Sequence, residues 1–176
     1  MGVRLIISDA CIGLAESAAE FFPEAASQRC IVHWYRNIFS HVPSTKVREI
    51  AAMLKAIHAG EDVLAAREKA LRVVAKLRDL RLTKAAELVE TGVAETLGYY
   101  GFPEAHWRRI RTNNPLERIL REIRRRSRVV GAFPDGQSAL NLAAARLRYI
   151  AGSEWSTKRY LNMELLKDQQ MSAITA

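Results

Sequence analysis

An apolar, β-branched run over residues 3–8 leads directly into an aspartate, Asp9, and this run most constrains the fold. Such a run predicts a strand buried on both faces, as in parallel sheets. A helix is predicted over residues 14–22, where Pro23 ends it. A second strand is predicted over residues 28–33, and a short helix over residues 34–39. This order predicts a βαβ unit with parallel strands.

The next part of the chain, from residue 46 to about residue 97, has apolar residues at helical spacing and little strand signal. We predict three helices there, with breaks at Ala59-Gly60 and near Arg81. A further short helix is predicted over residues 104–110. The fold class predicted from these patterns is α/β, dominantly helical.

The helix predicted over residues 116–126 has a carboxylate near its start and arginines along its length. Asn114 is a suitable N-cap, and Pro115 fits the first helical position. Glu117 follows at once, and six arginines then fall within eleven residues: Arg118, Arg121, Arg124, Arg125, Arg126 and Arg128. An apolar stripe on this helix is predicted to be buried and consists of Leu116, Ile119, Leu120 and Ile123.

A last helix, capped by Ser138, is predicted to extend to about residue 150. Its inward face is predicted to carry Leu140, Ala143, Ala144, Leu147 and Ile150. The tail after Trp155 has a weak pattern and is predicted to fray.

The composition favours a globular protein with an acidic partner. The chain has 176 residues, 49% of them hydrophobic, and a formal net charge of +8. This balance points to nucleic acid before membrane, and no apolar run reaches the ~20 residues that a membrane span needs. Two cysteines, Cys11 and Cys30, supply no disulfide framework, so a reducing cytoplasm is the expected compartment.

Asp9, Glu117 and the arginines suggest metal-assisted chemistry on DNA, although each has a simpler alternative. Divalent ions need hard oxygen ligands, and a polyanion needs cations. Asp9 follows a strand, where parallel sheets place functional groups, but it could instead cap the next helix. Glu117 could be a first-turn acid favoured by the helix dipole. The arginines could form a solvated face, although a run of arginines without lysine suits phosphate better.

Cys30 and His33 have the spacing of a zinc-binding pair. A structural zinc ion needs four ligands, and the other histidines form no matching second pair. We therefore predict that Cys30 is a core residue and that His33, at a strand end, lies at the rim of the site formed by Asp9.

Three motifs together resemble the prokaryotic Mutator-family transposases, which are DDE enzymes. They are Ser8-Asp9-Ala10-x-x-Gly13-Leu14, Gln28-Arg29-Cys30-x-Val32-His33-x-x-Arg36-Asn37, and Thr112-Asn113-x-x-Glu117-Arg118-x-x-x-Glu122-Ile123-Arg124-Arg125-Arg126-x-Arg128-Val129-Val130-Gly131-x-Phe133-Pro134. The resemblance extends from the first residues to about residue 161 and corresponds to the C-terminal part of the catalytic region.

The resemblance implies an RNase H-like core with an Asp-Asp-Glu triad and two Mg²⁺ or Mn²⁺ ions. Those ions would activate water and then a DNA 3′-hydroxyl for in-line attack on phosphodiesters. Asp9 matches the second aspartate of the triad and Glu117 its glutamate, so both are expected to be catalytic metal ligands. His33 and Arg118 are expected at the rim of the site. DNA phosphates are expected on Arg124, Arg125, Arg126 and Arg128, of which Arg124 matches the basic residue that usually follows the glutamate.

The same resemblance divides the chain into four parts. Residues 1–44 are a partial RNase H-like core, and residues 45–98 are an α-helical insertion. Residues 99–161 are the C-terminal part of the core with the helix of the catalytic glutamate, and residues 162–176 are a tail.

The functional expectation depends on two differences between this sequence and the family. The first aspartate of the family lies on a strand well upstream of the second, whereas eight residues precede Asp9, and Cys11 stands where the family commonly has histidine. We expect a truncated transposase of an insertion sequence, derived from an enzyme that acts on transposon ends and target DNA. The alternative is a non-catalytic DNA-binding or oligomerisation fragment. An unpaired edge on the first strand would favour homo-oligomers.

Overall fold

The structure, a computed structural model, describes residues 2–153 and 160–174, with the backbone alone over residues 170–174. Its N-terminal part consists of β1 (Leu5–Ser8), α1 (Ile12–Phe21), β2 (Ala26–Arg29) and α2 (Ile31–Phe39). The two strands are parallel, with Leu5 opposite Ala26 and Ser8 opposite Arg29. The predicted βαβ unit is therefore confirmed.

The second strand is shorter than predicted, and this moves His33 onto a helix. β2 ends at Arg29, and α2 begins at Ile31, so His33 lies in the first turn of α2 and the prediction of a strand end is wrong. A short apolar run fits a buried strand or a buried helix equally well. The packing favours a helix, because the buried residues of α2 are Ile31, Trp34 and Ile38, which recur at helical spacing.

The predicted block of three helices is confirmed as α3 (Val47–Ile57), α4 (Val63–Asp79) and α5 (Thr83–Gly92). Asp62 begins α4 by accepting a hydrogen bond from Ala65 N at 2.8 Å. Arg81 adopts a φ of 60° between α4 and α5. These helices and α2 form the main core, made of Trp34, Ile38, Val42, Ile50, Leu54, Ile57, Ala66, Ala70, Val73, Val74, Leu77, Ala85, Ala86, Val89 and Leu97.

Four further helices follow: α6 (Glu104–Ile110), α7 (Asn114–Val130), α8 (Gly136–Ala151) and α9 (Met163–Ile174). The caps differ by position from those predicted. Asn113, not Asn114, is the N-cap of α7. Asp135 caps α8 by accepting a hydrogen bond from Ser138 N. The predicted fraying tail is wrong for residues 163–174, which form α9 with Leu166 buried, whereas Trp155 lies outside the described residues.

The outer elements are less buried than their apolar patterns predicted. β1 is half-buried along its length. Neither α7 nor α8 contains a buried residue; Leu116 is 50% exposed and Leu140 64%. Within the described part of the chain the sheet has two strands. Within the described residues, the predicted apolar stripes are therefore only partly covered.

The fully buried side chain of Gln28 joins the sheet to the segment after α5. Its Nε2 donates to Thr96 O at 2.8 Å and to Arg29 O at 2.9 Å. Its Oε1 accepts from Tyr99 N at 2.9 Å. A second core cluster lies beside this amide and consists of Ile31, Tyr99 and Ile110. Because a buried amide must be hydrogen-bonded, these bonds hold β2 against the helical block.

None of the described helices has both the length and the apolar character needed to cross a membrane.

Replacing Gly92 with alanine should destabilise the protein. A Cβ atom at Gly92 would lie 2.8 Å from Nε1 of Trp34, whose side chain is 1% exposed and packed in the main core. We expect Gly92→Ala to lower the free energy of unfolding by about 1–3 kcal/mol, measured by urea denaturation. Gly101→Ala is the matched control, because its Cβ would meet no atom within 4 Å; equal effects of the two substitutions would contradict the close approach.

His58 should make the protein less stable in mild acid. Its ring is buried, with Nδ1 at 2.8 Å from the Tyr35 hydroxyl and Nε2 at 2.8 Å from the Thr96 hydroxyl. Burial, opposed by the Leu54 carbonyl and assisted by the charge of Arg111, lowers the pKa of His58 from 6.5 to about 4. As the pH falls, His58 is therefore protonated in the unfolded chain before it is protonated in the folded protein.

The contribution of His58 to stability is complete above about pH 6.5 and is lost as the pH falls towards 4, by about 3 kcal/mol in total. His58→Gln should remove this part of the pH dependence of unfolding. His41→Gln, at an exposed position, should leave it in place. A pH dependence that is the same in both variants would refute the assignment to His58.

Candidate functional site

Asp9 lies directly after β1 with an exposed side chain. Its Oδ1 accepts a hydrogen bond from Ala10 N at 2.8 Å. The N-cap of α1 is Cys11, and no side chain makes the cap hydrogen bond, so the alternative of a helix-capping aspartate is wrong. The carboxylate borders a pocket whose other lining residues include Arg29 and Glu95.

Glu117 lies in the first turn of α7, where the helix dipole favours a negative charge. Its Oε1 is 3.6 Å from Nε2 of His33. Nδ1 of His33 is buried and has no hydrogen-bond partner among the residues that the structure describes. Glu117 does not line the pocket beside Asp9, so the convergence of the two carboxylates on one metal site stays a prediction.

The first residues of α2 lie between the end of β1 and the start of α7. Cys30 N donates to Ser8 O at 2.7 Å, and Ile31 N donates to Arg111 O at 3.1 Å. The Cys30 thiol, which is fully buried, donates to Asn113 Oδ1 at 3.1 Å. The prediction that Cys30 is a core residue is confirmed. Since Cys30 contacts Asn113 and His33 lies beside Glu117, the two side chains have separate partners.

The exposed arginines of α7 divide into two groups. Glu122 forms a two-point hydrogen bond with Arg125 at 3.1 Å and a further one with Arg126 at 3.2 Å. Its carboxylate also contacts Arg146 of α8 at 2.9 Å. These hydrogen bonds, that of Arg125 above all, lower the pKa of Glu122 to about 2. The carboxylate therefore stays charged and joins α7 to α8.

The other arginines of α7, which are Arg118, Arg121, Arg124 and Arg128, have exposed side chains. Arg124 and Arg128 are exposed, and with Arg121 and Arg125 they line an open groove. Arg118 lies on a different groove, together with Arg108 and Arg109 of α6. Positive charge therefore continues from α6 along α7, and it is formed entirely by guanidinium groups suited to phosphate.

The comparisons with known proteins identify the family. The family model described as "Transposase, Mutator family" matches residues 1–157. The chain belongs to the Mutator family of transposases. The resemblance noted from its three motifs is thereby confirmed.

Several transposases of insertion sequences are similar to this Mutator-family chain. The transposase for IS1081 of Mycobacterium tuberculosis is 37% identical over 166 residues, which cover 94% of this chain and 40% of that protein. The transposase for IS406 of Burkholderia multivorans is 39% identical over 163 residues, covering 92% and 42%. The transposase for IS256 in transposon Tn4001 of Staphylococcus aureus is 31% identical over 166 residues, covering 93% and 42%. The chain thus spans less than half the length of these relatives.

Two residues at the site were missed by sequence reasoning. Glu122 stands three and four residues before Arg125 and Arg126, a spacing that already indicates ion pairs on a helix. Glu95, which is paired with Arg29 at 3.2 Å beside Asp9, comes from a turn after α5. No sequence signal points to Glu95, because it reaches the end of the sheet only through the tertiary fold.

The donor set of this Mutator-family chain has the chemistry for a hard cation but is sparse. The carboxylate oxygens of Asp9 and Glu117 are the ligand type that Mg²⁺ and Mn²⁺ prefer. Over the described ranges 2–153 and 160–174, no group of three or more His, Cys, Asp or Glu residues is arranged to hold a metal ion.

Proposed function

We propose that this chain is part of the catalytic region of an insertion-sequence transposase, an RNase H-like core with an α-helical insertion. In this proposal α7 binds DNA, and Asp9 and Glu117 supply two of the carboxylates for metal-dependent strand transfer. The supporting observation is that the start of α7, with Glu117, is tied through Cys30 to the end of β1, where Asp9 lies. The names of its relatives as transposases support the reaction class.

Each part of the proposed site has a separate role. Asp9 and Glu117 would hold Mg²⁺ or Mn²⁺, which supplies activation of the attacking oxygen and charge stabilisation when bound. The guanidinium groups of Arg124, Arg125, Arg126 and Arg128 would bind phosphates and so position the DNA backbone. His33 contacts Glu117 and would restrict its orientation. Arg118 would extend the DNA contact towards α6.

A second candidate function is non-catalytic DNA binding or self-association. It is favoured by the sparse donor set and by the free edge of β1, which pairs only with β2 in the described part of the chain. Unpaired strand edges invite association. Exposed apolar side chains on α1 and α8, such as Ile12 at 77% and Leu140 at 64%, add apolar surface that a second copy could cover.

DNA binding by α7 should depend steeply on salt. Replacing Arg124 and Arg128 with alanine should lower the slope of log affinity against log salt concentration by about 2, because each phosphate contact releases condensed counterions. Replacing Arg125 and Arg126 should lower it less, since Glu122 already offsets part of their charge. The measurement is fluorescence anisotropy with a labelled duplex at several salt concentrations.

Arg72→Ala is the control for that series, because Arg72 is exposed on α4 and lines neither of the two arginine grooves. The slope of log affinity against log salt concentration should be the same for Arg72→Ala as for the unmodified chain. Affinity that does not change between ~50 and 200 mM salt would contradict phosphate binding.

A polypeptide of these 176 residues should not cut or join DNA by itself. Two carboxylates leave a metal ion with few anionic ligands and no fixed geometry for in-line displacement, so positioning and charge stabilisation are both lost. The assay is supercoiled plasmid with Mg²⁺ or Mn²⁺, alongside Asp9→Ala and Glu117→Ala. Nicking that both substitutions abolish would refute the prediction. Equal nicking by all three proteins would come from a contaminating nuclease and would leave the prediction standing.

A further inference from the structure

The side chain at the N-cap of α7 has an unusual use. An asparagine at this position ordinarily accepts a hydrogen bond from a backbone N–H in the first helical turn. Asn113 makes no such bond. Its Oδ1 instead accepts from the Cys30 thiol at 3.1 Å, across 83 positions of sequence. The start of α7 therefore uses its cap side chain for a contact with α2.

Two further contacts join the start of α2 to α7 and to the residues just before α7. Ile31 N donates to the carbonyl of Arg111 at 3.1 Å, two residues before the cap. His33 Nε2 lies 3.6 Å from Glu117 Oε1, four residues after the cap. The N-terminal end of α2 thus contacts the chain two residues before the N-cap of α7, at this N-cap, and four residues after it.

The same end of α2 also contacts β1. Cys30 N donates to Ser8 O at 2.7 Å, and the next residue along β1 is Asp9. Cys30 is therefore bonded through its backbone to the residue before one carboxylate and through its side chain to the helix that carries the other. Residues three apart share a helix face, which explains why Cys30 and His33 reach the same neighbouring helix.

We propose that Cys30 and His33 are positioning residues that hold the first turn of α7 against the carboxyl end of β1 and so set the placement of Glu117 relative to Asp9. The inference rests on the proposed function in so far as the two carboxylates serve one site. The Cys-x2-His spacing is then a structural link between three elements and not a zinc-binding pair. Cysteine suits the buried corner, because it is a small apolar side chain with one weak donor.

The first test measures amide hydrogen exchange in the first turn of α7, including Glu117 N, which is bonded to Asn113 O at 3.1 Å. Cys30→Ala removes the donor to Asn113. It should speed exchange there about fivefold to tenfold relative to amides of α4, the loss expected for one hydrogen bond. Cys30→Ser restores a donor of similar size and should return exchange to near the original rate. Cys11→Ala removes the exposed cysteine and is the matched control.

The rescue by serine separates positioning from core packing. If Cys30→Ala and Cys30→Ser speed exchange equally, or if exchange in α4 rises as much as in α7, then Cys30 only fills space and the proposal is wrong. Exchange in α7 that is unchanged in Cys30→Ala would also overturn it. These outcomes do not depend on metal or DNA binding.

The second test measures Mn²⁺ affinity by electron paramagnetic resonance for His33→Ala and His33→Gln. Loss of a residue that orients a ligand typically costs about tenfold or more in metal affinity. We expect His33→Ala to weaken Mn²⁺ binding by that factor and to speed exchange in the first turn of α7, with both effects smaller in His33→Gln. Weaker Mn²⁺ binding with unchanged exchange would overturn the positioning role. An unmodified chain that binds no Mn²⁺ would refute the proposed metal site, while the exchange results still decide the role of Cys30.

Discussion

Burial of one face of α2 is the interaction on which the rest of the structure depends. Trp34 and Ile38 belong to the main core with α3, α4 and α5, whereas Ile31 belongs to the second cluster with Tyr99 and Ile110. One short helix is therefore shared by both cores. Because interiors are close-packed, a shift of α2 would disturb the helical block and the sheet together, and it would move the contacts that its N-terminal end makes with β1 and α7.

The two halves of the molecule differ in how firmly they are held. The helical block has a continuous apolar core, while α1, α7 and α8 contain no buried residues. Glu122 pairs with Arg125 and Arg126 within α7, and its contact with Arg146 joins α7 to α8. Exposed ion pairs contribute little stability. The surface proposed to bind DNA is thus the part of the chain with the least apolar support, which suits a surface that is completed by a partner.

Sequence patterns predicted local elements well where the apolar residues followed one clear period. They predicted them less well where a strand and a helix fitted the same residues. The breaks at Ala59-Gly60 and near Arg81 were found because glycine and the end of an apolar period mark helix boundaries. The helix predicted over residues 104–110 is also present. The run after Arg29 was assigned to a strand because a short apolar run has no decisive period, and the error placed His33 on the wrong element. The apolar stripes of α7 and α8 were predicted to be buried because amphipathic patterns show which face is apolar but not whether anything covers it.

The sequence by itself determined the parallel βαβ start, the helical block, the arginine-rich helix headed by Glu117, and the family, since these depend on local periodicity and on motifs of contiguous residues. Only the tertiary structure decided that Asn113 bonds to Cys30, that Glu122 joins α7 to Arg146 of α8, and that Glu95 reaches the pocket beside Asp9. The physical reason is the sequence separation over which each kind of interaction acts. Periodicity and capping act within a few residues, whereas each of these contacts joins residues brought together by the packing of whole elements, which follows from burial of the shared core and not from any short pattern.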